Sequence, residues 1–194
     1  MKFPLQLSFK ILAIAPQISA TDATGALRFF IKQKAFKLKE SVKVFADAEQ
    51  TRELYAIDAD RILDFNSQYK FTAKGGSAAG AMRRKGMRSI WSAEYEIVMT
   101  NGQVLKIKEE NPWIKVADAL LSDIPLLGLF AGYFFNPAYL VTRGNGELVL
   151  RVQKLPAFME GKFQIEKKAN IADEEVDTLL LSVFMMLLLE RMRG

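Results

Sequence analysis

The sequence predicts a mainly β protein of the α+β class: a closed antiparallel barrel of about twelve strands around a central hydrophobic C-terminal helix. Short runs of alternating apolar and polar residues, separated by turn residues, recur along most of the 194 residues. The segment from Asp173 to Met192 has helical character, yet its middle is apolar on every face, so protein must surround it. A closed barrel provides that surrounding and leaves no sheet edge exposed.

The composition is that of one globular domain, which we expect to span residues 1–194. Apolar residues make up 50% and charged residues 25% of the chain. There is no cysteine and no histidine, which excludes disulfides, thiolate metal sites, thiol nucleophiles and Ser-His triads. Paired carboxylates can act as a catalytic acid and base or hold a metal ion. Adjacent Glu109 and Glu110 should instead point to opposite faces of a strand, so they cannot act together. We therefore expect no enzyme, no metal and no cofactor.

The first element is a strand. Leu5, Leu7 and Phe9 alternate with polar residues. Pro4 and Lys10 interrupt the apolar character, so the segment lacks the apolar core of a signal peptide. These features predict an ordered N-terminal strand in a cytoplasmic protein.

Further strands follow the same alternation. Asn101-Gly102 and Gly144-Asn145-Gly146 each lie between two alternating runs and predict hairpin turns. Gly75 to Gly80 predicts a flexible loop that leads into Arg83-Arg84-Lys85. The remaining predicted strands are Gln17–Thr21, Leu27–Gln33, Val42–Ala46, Glu53–Asp58, Ile62–Phe65, Tyr69–Thr72, Arg88–Trp91, Tyr95–Met99, Gln103–Lys108, Tyr139–Thr142, Glu147–Lys154 and Lys162–Lys168.

Two helices are predicted. Pro112–Leu121 has an N-cap at Asn111 and one apolar stripe. Asp173–Met192 opens with acidic residues and closes with basic ones, as the helix dipole favours. Its apolar run spans roughly 17 Å, about half of a bilayer core of ~30 Å, so it is too short to cross a membrane. The uncharged segment Ile124–Phe135 is either a plug over one barrel mouth or a loop that dips into a bilayer.

The charge is unevenly distributed. The chain carries a net charge of +5, but Arg28–Lys43 and Lys70–Arg88 together carry +11, so the rest carries −6. Such asymmetry indicates an anionic partner, either a membrane surface or nucleic acid, or a chance clustering of solvated side chains.

A family resemblance follows from three stretches. They are Phe36 to Phe45 with the turn after it, Tyr95 to Gly102 with its return strand, and the apolar helix ending at Arg193. In element order the chain resembles the tubby C-terminal-like superfamily, which includes LURP-one-related proteins and phospholipid scramblases. The resemblance implies a non-enzymatic barrel that, in tubby proteins, binds phosphoinositides.

The predicted function is a peripheral module that binds anionic phospholipid at the inner membrane face. The alternative is a structural or protein-interaction domain without a lipid ligand. A nucleic-acid binder comes third, because small residues rather than stacking aromatics precede Arg83. The predicted lipid-binding residues are basic and come from the two charged windows: Arg83, Arg84, Lys85, Arg88, Lys32, Lys34, Lys37 and Lys39.

Overall fold

The computed structural model describes residues 1–10, 17–32, 41–60, 68–85, 94–111, 136–157 and 160–191. Within them the chain forms twelve strands and one helix. In chain order they are β1 (Leu5–Lys10), β2 (Gln17–Thr21), β3 (Leu27–Lys32), β4 (Val42–Phe45), β5 (Glu53–Ala59), β6 (Gln68–Ala73), β7 (Ala78–Lys85), β8 (Glu94–Val98), β9 (Val104–Glu109), β10 (Ala138–Thr142), β11 (Leu148–Leu155), β12 (Glu160–Lys167) and α1 (Asp173–Arg191).

The strands form a closed antiparallel barrel in which each strand pairs with its neighbours in sequence. Closure comes from β1 and β12, which pair from Leu5 opposite Ile165 to Lys10 opposite Glu160. This arrangement confirms the predicted fold class.

The barrel has two different ends. At one end, called the turn end, the strands are joined by the short connections 22–26, 46–52, 74–77, 99–103 and 143–147. At the other, called the loop end, β1, β3, β5, β7, β9 and β11 finish, and most of the residues that follow them lie outside the described part of the chain. Helix α1 begins at the turn end, where β12 finishes, and ends at the loop end.

Helix α1 lies inside the barrel and supplies much of the core. Six residues on opposite sides of the helix are each at most 4% exposed: Leu179, Leu180, Val183, Phe184, Leu187 and Leu188. Inward-facing strand residues pack around them in one continuous cluster. The prediction of a central helix is therefore confirmed.

Polar contacts fix α1 at both ends. Near its start, the Glu175 carboxylate accepts the Ala172 amide at 3.0 Å and pairs with the Arg143 guanidinium at 3.1 Å. The Tyr55 hydroxyl donates to Asp177 in the same region. Near its end, the Tyr95 hydroxyl donates to Glu190 Oε1 at 2.6 Å.

The predicted loop over Gly75–Gly80 is wrong from Ala78 onward, because β7 begins there. Small side chains are needed at this point since α1 passes very close to β7. The Thr178 hydroxyl donates to the Ala79 carbonyl at 2.6 Å, and a Cβ added to Gly80 would lie 2.5 Å from Thr178 Cγ2. The glycine and alanines make room for the helix.

Several predicted elements lie outside the described residues and stay predictions. They are the strands Ile62–Phe65 and Arg88–Trp91, the helix Pro112–Leu121 and the apolar segment Ile124–Phe135. Among the described residues, no helix has the length and apolar character needed to cross a membrane.

Candidate anion-binding surfaces of the barrel

Three of the predicted lipid-binding residues lie within β7, not in a loop. Because side chains alternate along a strand, the cluster is divided between two faces. Arg83 and Lys85 are exposed on the outside of the barrel, whereas Arg84 is half-buried. Arg84 stands opposite the buried Tyr95 in the ladder and lies on the inner side.

The outer face of β7 to β9 carries a network of ion pairs. Glu96 accepts Lys85 at 2.8 Å and lies 3.2 Å from Arg83, and the hydrogen bond from Lys85 is the main reason its pKa is lowered. On the same face Glu94 pairs with two lysines of β9. Glu94 and Glu96 thus pair with four basic side chains, so the outer face of β7 to β9 has a net charge of +2.

Lys32 borders a second basic surface, a groove of about 400 Å³ along the outside of β3. We call it the β3 groove. Its described lining residues are Lys10, Gln17, Ser19, Leu27, Phe30, Lys32 and Ala48. None of these is acidic, and Lys10 and Lys32 are both exposed.

The two lysines have different neighbours. Gln17 stands between them, opposite Lys10 in one ladder and opposite Lys32 in the other. On its other side, Lys10 faces Glu160 of β12 in the ladder. Lys32 stands opposite only the uncharged Gln17 on the β2 side.

A smaller groove of about 150 Å³ continues from the β3 groove across the outside of β1 and β2, with Ser19 shared between them. Half of its described lining residues are uncharged and polar, and none is acidic: Gln6, Leu7, Ser8, Ser19, Thr21, Leu155, Lys162 and Phe163. Together the two grooves form a surface of hydroxyls, amides and apolar side chains with lysines at its edges.

The two basic surfaces lie apart around the barrel but reach the same end of it. Three strands, β4 to β6, separate β3 from β7, which places them roughly 19 Å apart along the sheet. Both strands nevertheless finish at the loop end. Lys34, Lys37, Lys39 and Arg88 lie outside the described residues, directly after these two strand ends.

Sequence reasoning missed Lys10, Gln17 and Ser19. Lys10 and Gln17 lie far from Lys32 in the sequence, and only the ladder register brings them together. The sequence does predict two consecutive hairpins, β1–β2 and β2–β3. Pairing these three strands in order places Lys10, Gln17 and Lys32 in one row.

The adjacent acidic residues Glu109 and Glu110 do not form one site. Glu109 and Glu110 do point to opposite faces: Glu109 is buried, and Glu110 pairs with Arg151 on the outside at 2.8 Å. The Asp60 carboxylate accepts a hydrogen bond from the backbone N–H of Gln68 at 2.8 Å. Within the described residues, no three acidic side chains are grouped closely enough to hold a metal ion.

Comparison of the chain with protein families, with curated proteins and with solved structures finds no match.

Proposed function

We propose that the protein is a non-enzymatic module that binds anionic phospholipid through the loop end of the barrel, at the cytoplasmic face of a membrane. The observation that carries the proposal is topological. The predicted lipid-binding residues are scattered in sequence, but β3 and β7, which contain or directly precede them, both finish at the loop end.

The basic residues at the loop end support binding with that end toward the membrane. Lys32 and Lys10 are the last residues of their strands and are exposed at the loop end. Each lysine near an anionic membrane surface contributes about 1 kcal/mol of attraction, which falls off within a Debye length. A few such residues at one end give an attraction that depends on orientation and on salt.

The sequence of one connection adds an apolar contribution. The connection from β9 to β10 contains the uncharged sequence Ile124–Phe135, and both of these strands have their connected ends at the loop end. Apolar residues beside basic ones favour binding to a membrane interface, because burial in the acyl boundary adds to the electrostatic attraction.

Vesicle flotation with paired charge-reversal variants tests the proposal. Lys10→Glu with Lys32→Glu changes the loop end by four charge units. Lys74→Glu with Lys167→Glu makes the same change among exposed residues of the turn end. The wild type and the turn-end variant should bind vesicles of phosphatidylglycerol in phosphatidylcholine. The loop-end variant should bind at least about tenfold more weakly, and binding should weaken as salt rises.

Two results would contradict the proposal. Wild-type binding to anionic vesicles no stronger than to pure phosphatidylcholine at low salt would favour a protein-interaction domain. Tighter binding to a single-stranded oligonucleotide than to anionic vesicles would favour the nucleic-acid interpretation.

A further inference from the structure

We infer that the barrel wall opens between β3 and β4, and that helix α1 is the clasp that holds it closed. The line along which residues 29–32 of β3 meet β4 is called the β3–β4 seam. The inference goes beyond the proposed function, because it concerns the wall of the barrel and involves no ligand. It depends on how the seam is closed, which is by side chains more than by a backbone ladder.

The backbone ladder at the seam is short. Among the described residues of β3 and β4, only Phe30 and Phe45 are paired. Within the same described ranges, every other pair of neighbouring strands is joined by a ladder of at least four residue pairs. One step toward the loop end, a continued ladder would place Ile31 opposite Val44. Both of these residues are described, and they are not paired.

The sequence on both sides of the single pair explains why the ladder is short. A second step toward the loop end would place Lys32 opposite Lys43 on the outside, and like charges directly opposite each other destabilise a ladder. Lys43 instead pairs with Glu53 of β5 at 2.8 Å. Toward the turn end, β4 gives way to a turn in which the Ala46 N–H donates to the Arg52 carbonyl at 2.9 Å. Charge on one side and the turn on the other therefore limit the pairing of β3 with β4.

Aromatic side chains close the seam on its inner side. Tyr55 of β5 stands opposite Val44 in the β4–β5 ladder and reaches β3 across the inner side of β4. The centroid of its ring lies 6.2 Å from that of Phe29. The Phe29 ring also meets the Phe184 ring of α1 edge-on, with the two centroids 5.6 Å apart.

Helix α1 contacts both sides of the seam. It packs Phe184 against β3, and its Asp177 accepts a hydrogen bond from the Tyr55 hydroxyl on the other side. Backbone hydrogen bonds are directional and break together along a ladder, whereas a few side-chain contacts can be lost locally. In the minor, open state the loop-end half of the seam separates and Ile31, which is 2% exposed when the seam is closed, reaches water.

Thiol labelling of the full chain measures this opening, because the chain has no cysteine of its own. Ile31→Cys places one thiol on the inner side of the seam. Ile18→Cys is the matched control, since Ile18 is also 2% exposed, stands opposite Ile31 and pairs with Phe9 on its other side. In native conditions Ile31→Cys should react with a maleimide at least about tenfold faster than Ile18→Cys. Urea unfolding of each variant gives the labelling that global unfolding alone would produce.

A second pair of variants makes the same comparison if Ile31→Cys does not fold. Val44→Cys lies on the β4 side of the seam, and Val141→Cys lies in β10, which is paired on both sides. Both valines are 0% exposed. Val44→Cys should again react at least about tenfold faster than its control.

Two tyrosine variants test whether α1 is the clasp. Tyr55→Phe removes the hydrogen bond to Asp177 and keeps the ring, so it should speed the labelling of Ile31→Cys by about three- to tenfold. Tyr95→Phe removes the corresponding bond to Glu190 at the other end of α1, on β8 and away from the seam. It should leave the labelling of Ile31→Cys unchanged.

Three results would overturn the inference. The first is equal labelling of Ile31→Cys and Ile18→Cys. The second is labelling of Ile31→Cys no faster than its global unfolding allows. The third is a Tyr55→Phe effect that is absent, or that appears equally in Ile18→Cys, since α1 would then not act on the seam itself. The measurement contains no lipid, so its failure would leave the proposed function standing.

Discussion

The contact between Gly80 and Thr178 makes a quantitative prediction about how tightly the barrel encloses its helix. Gly80 has a φ of +106°, a conformation that side chains disfavour. An added Cβ would lie 2.5 Å from Thr178 Cγ2 and 2.9 Å from the Val98 carbonyl oxygen. Gly80→Ala therefore introduces backbone strain and an overlap with α1 at the same time.

The two costs can be estimated separately. A non-glycine residue in a sparsely populated conformation costs about 1–3 kcal/mol. An extra methyl group in a closely packed core costs about 1–3 kcal/mol. Gly80→Ala should thus lower the free energy of unfolding by about 2–6 kcal/mol. For a chain of this length each kcal/mol lowers the melting temperature by roughly 2–4 °C.

Two other glycines separate these contributions. Gly76 has a φ of +91° with open space around it, so Gly76→Ala should show the backbone cost alone. Gly144 has neither a positive φ nor a neighbour within 4 Å, so Gly144→Ala should change stability by less than about 1 kcal/mol. Thr178→Ser removes the overlapping methyl group and keeps the hydroxyl that bonds Ala79, so it should partly rescue Gly80→Ala.

Equilibrium unfolding in urea, followed by far-ultraviolet circular dichroism, measures all of these variants. The double-mutant cycle of Gly80→Ala and Thr178→Ser should give a coupling of about 1 kcal/mol or more. If Gly80→Ala is no more destabilising than Gly76→Ala, or if Thr178→Ser gives no rescue, the close approach of α1 to β7 is not what requires the glycine.

Two further predictions concern buried groups. The Asp22 carboxylate is buried, and its pKa is lowered mainly by the hydrogen bond from the Thr24 hydroxyl and then by that from Arg28. The ionised carboxylate therefore stabilises the folded protein above the unfolded pKa of about 4, and this stabilisation is lost as the pH falls. Asp22→Asn should therefore have a lower free energy of unfolding than wild type at pH 7, and the difference should become smaller below about pH 4. Unfolding measured across this pH range checks the prediction. A difference that does not change with pH would show that the Asp22 carboxylate is not the stabilising group. Leu187 is 4% exposed inside the barrel, so Leu187→Asp should abolish soluble expression because an unpaired buried carboxylate costs several kcal/mol. Leu187→Met, which conserves volume, should express normally, and soluble Leu187→Asp protein would mean that this face of α1 can reach water.

Most of the fold could be predicted from the sequence because it depends on local patterns. Alternation predicted most of the described strands to within one or two residues, and the all-round apolar run predicted where α1 lies. Strand β7 was missed because its first half is Ala78-Ala79-Gly80 and has no alternation. Those small residues are present to accommodate Thr178, about a hundred positions later in the chain, and such a requirement is visible only once the helix is in place.

The candidate site was harder to predict than the fold. The density of basic residues identified Lys32 and the Arg83–Lys85 cluster, but it could not show which of them are neutralised. Glu96 pairs with Arg83 and Lys85 from the neighbouring strand. Lys10 joins Lys32 through ladder register. Both relations depend on which residues stand opposite each other, and composition does not carry that information.

The chain order of the barrel has a consequence for its synthesis. Each strand pairs with the one made just before it, so a ribosome can release the sheet as a growing series of hairpins. The final pairing of β1 with β12 and the entry of α1 must wait until all twelve strands have emerged, because α1 follows them. Until then the apolar face that will enclose the helix stays uncovered, and exposed surface of this kind promotes aggregation. The nascent chain is therefore most prone to aggregation after β12 has been made and before α1 has entered the barrel.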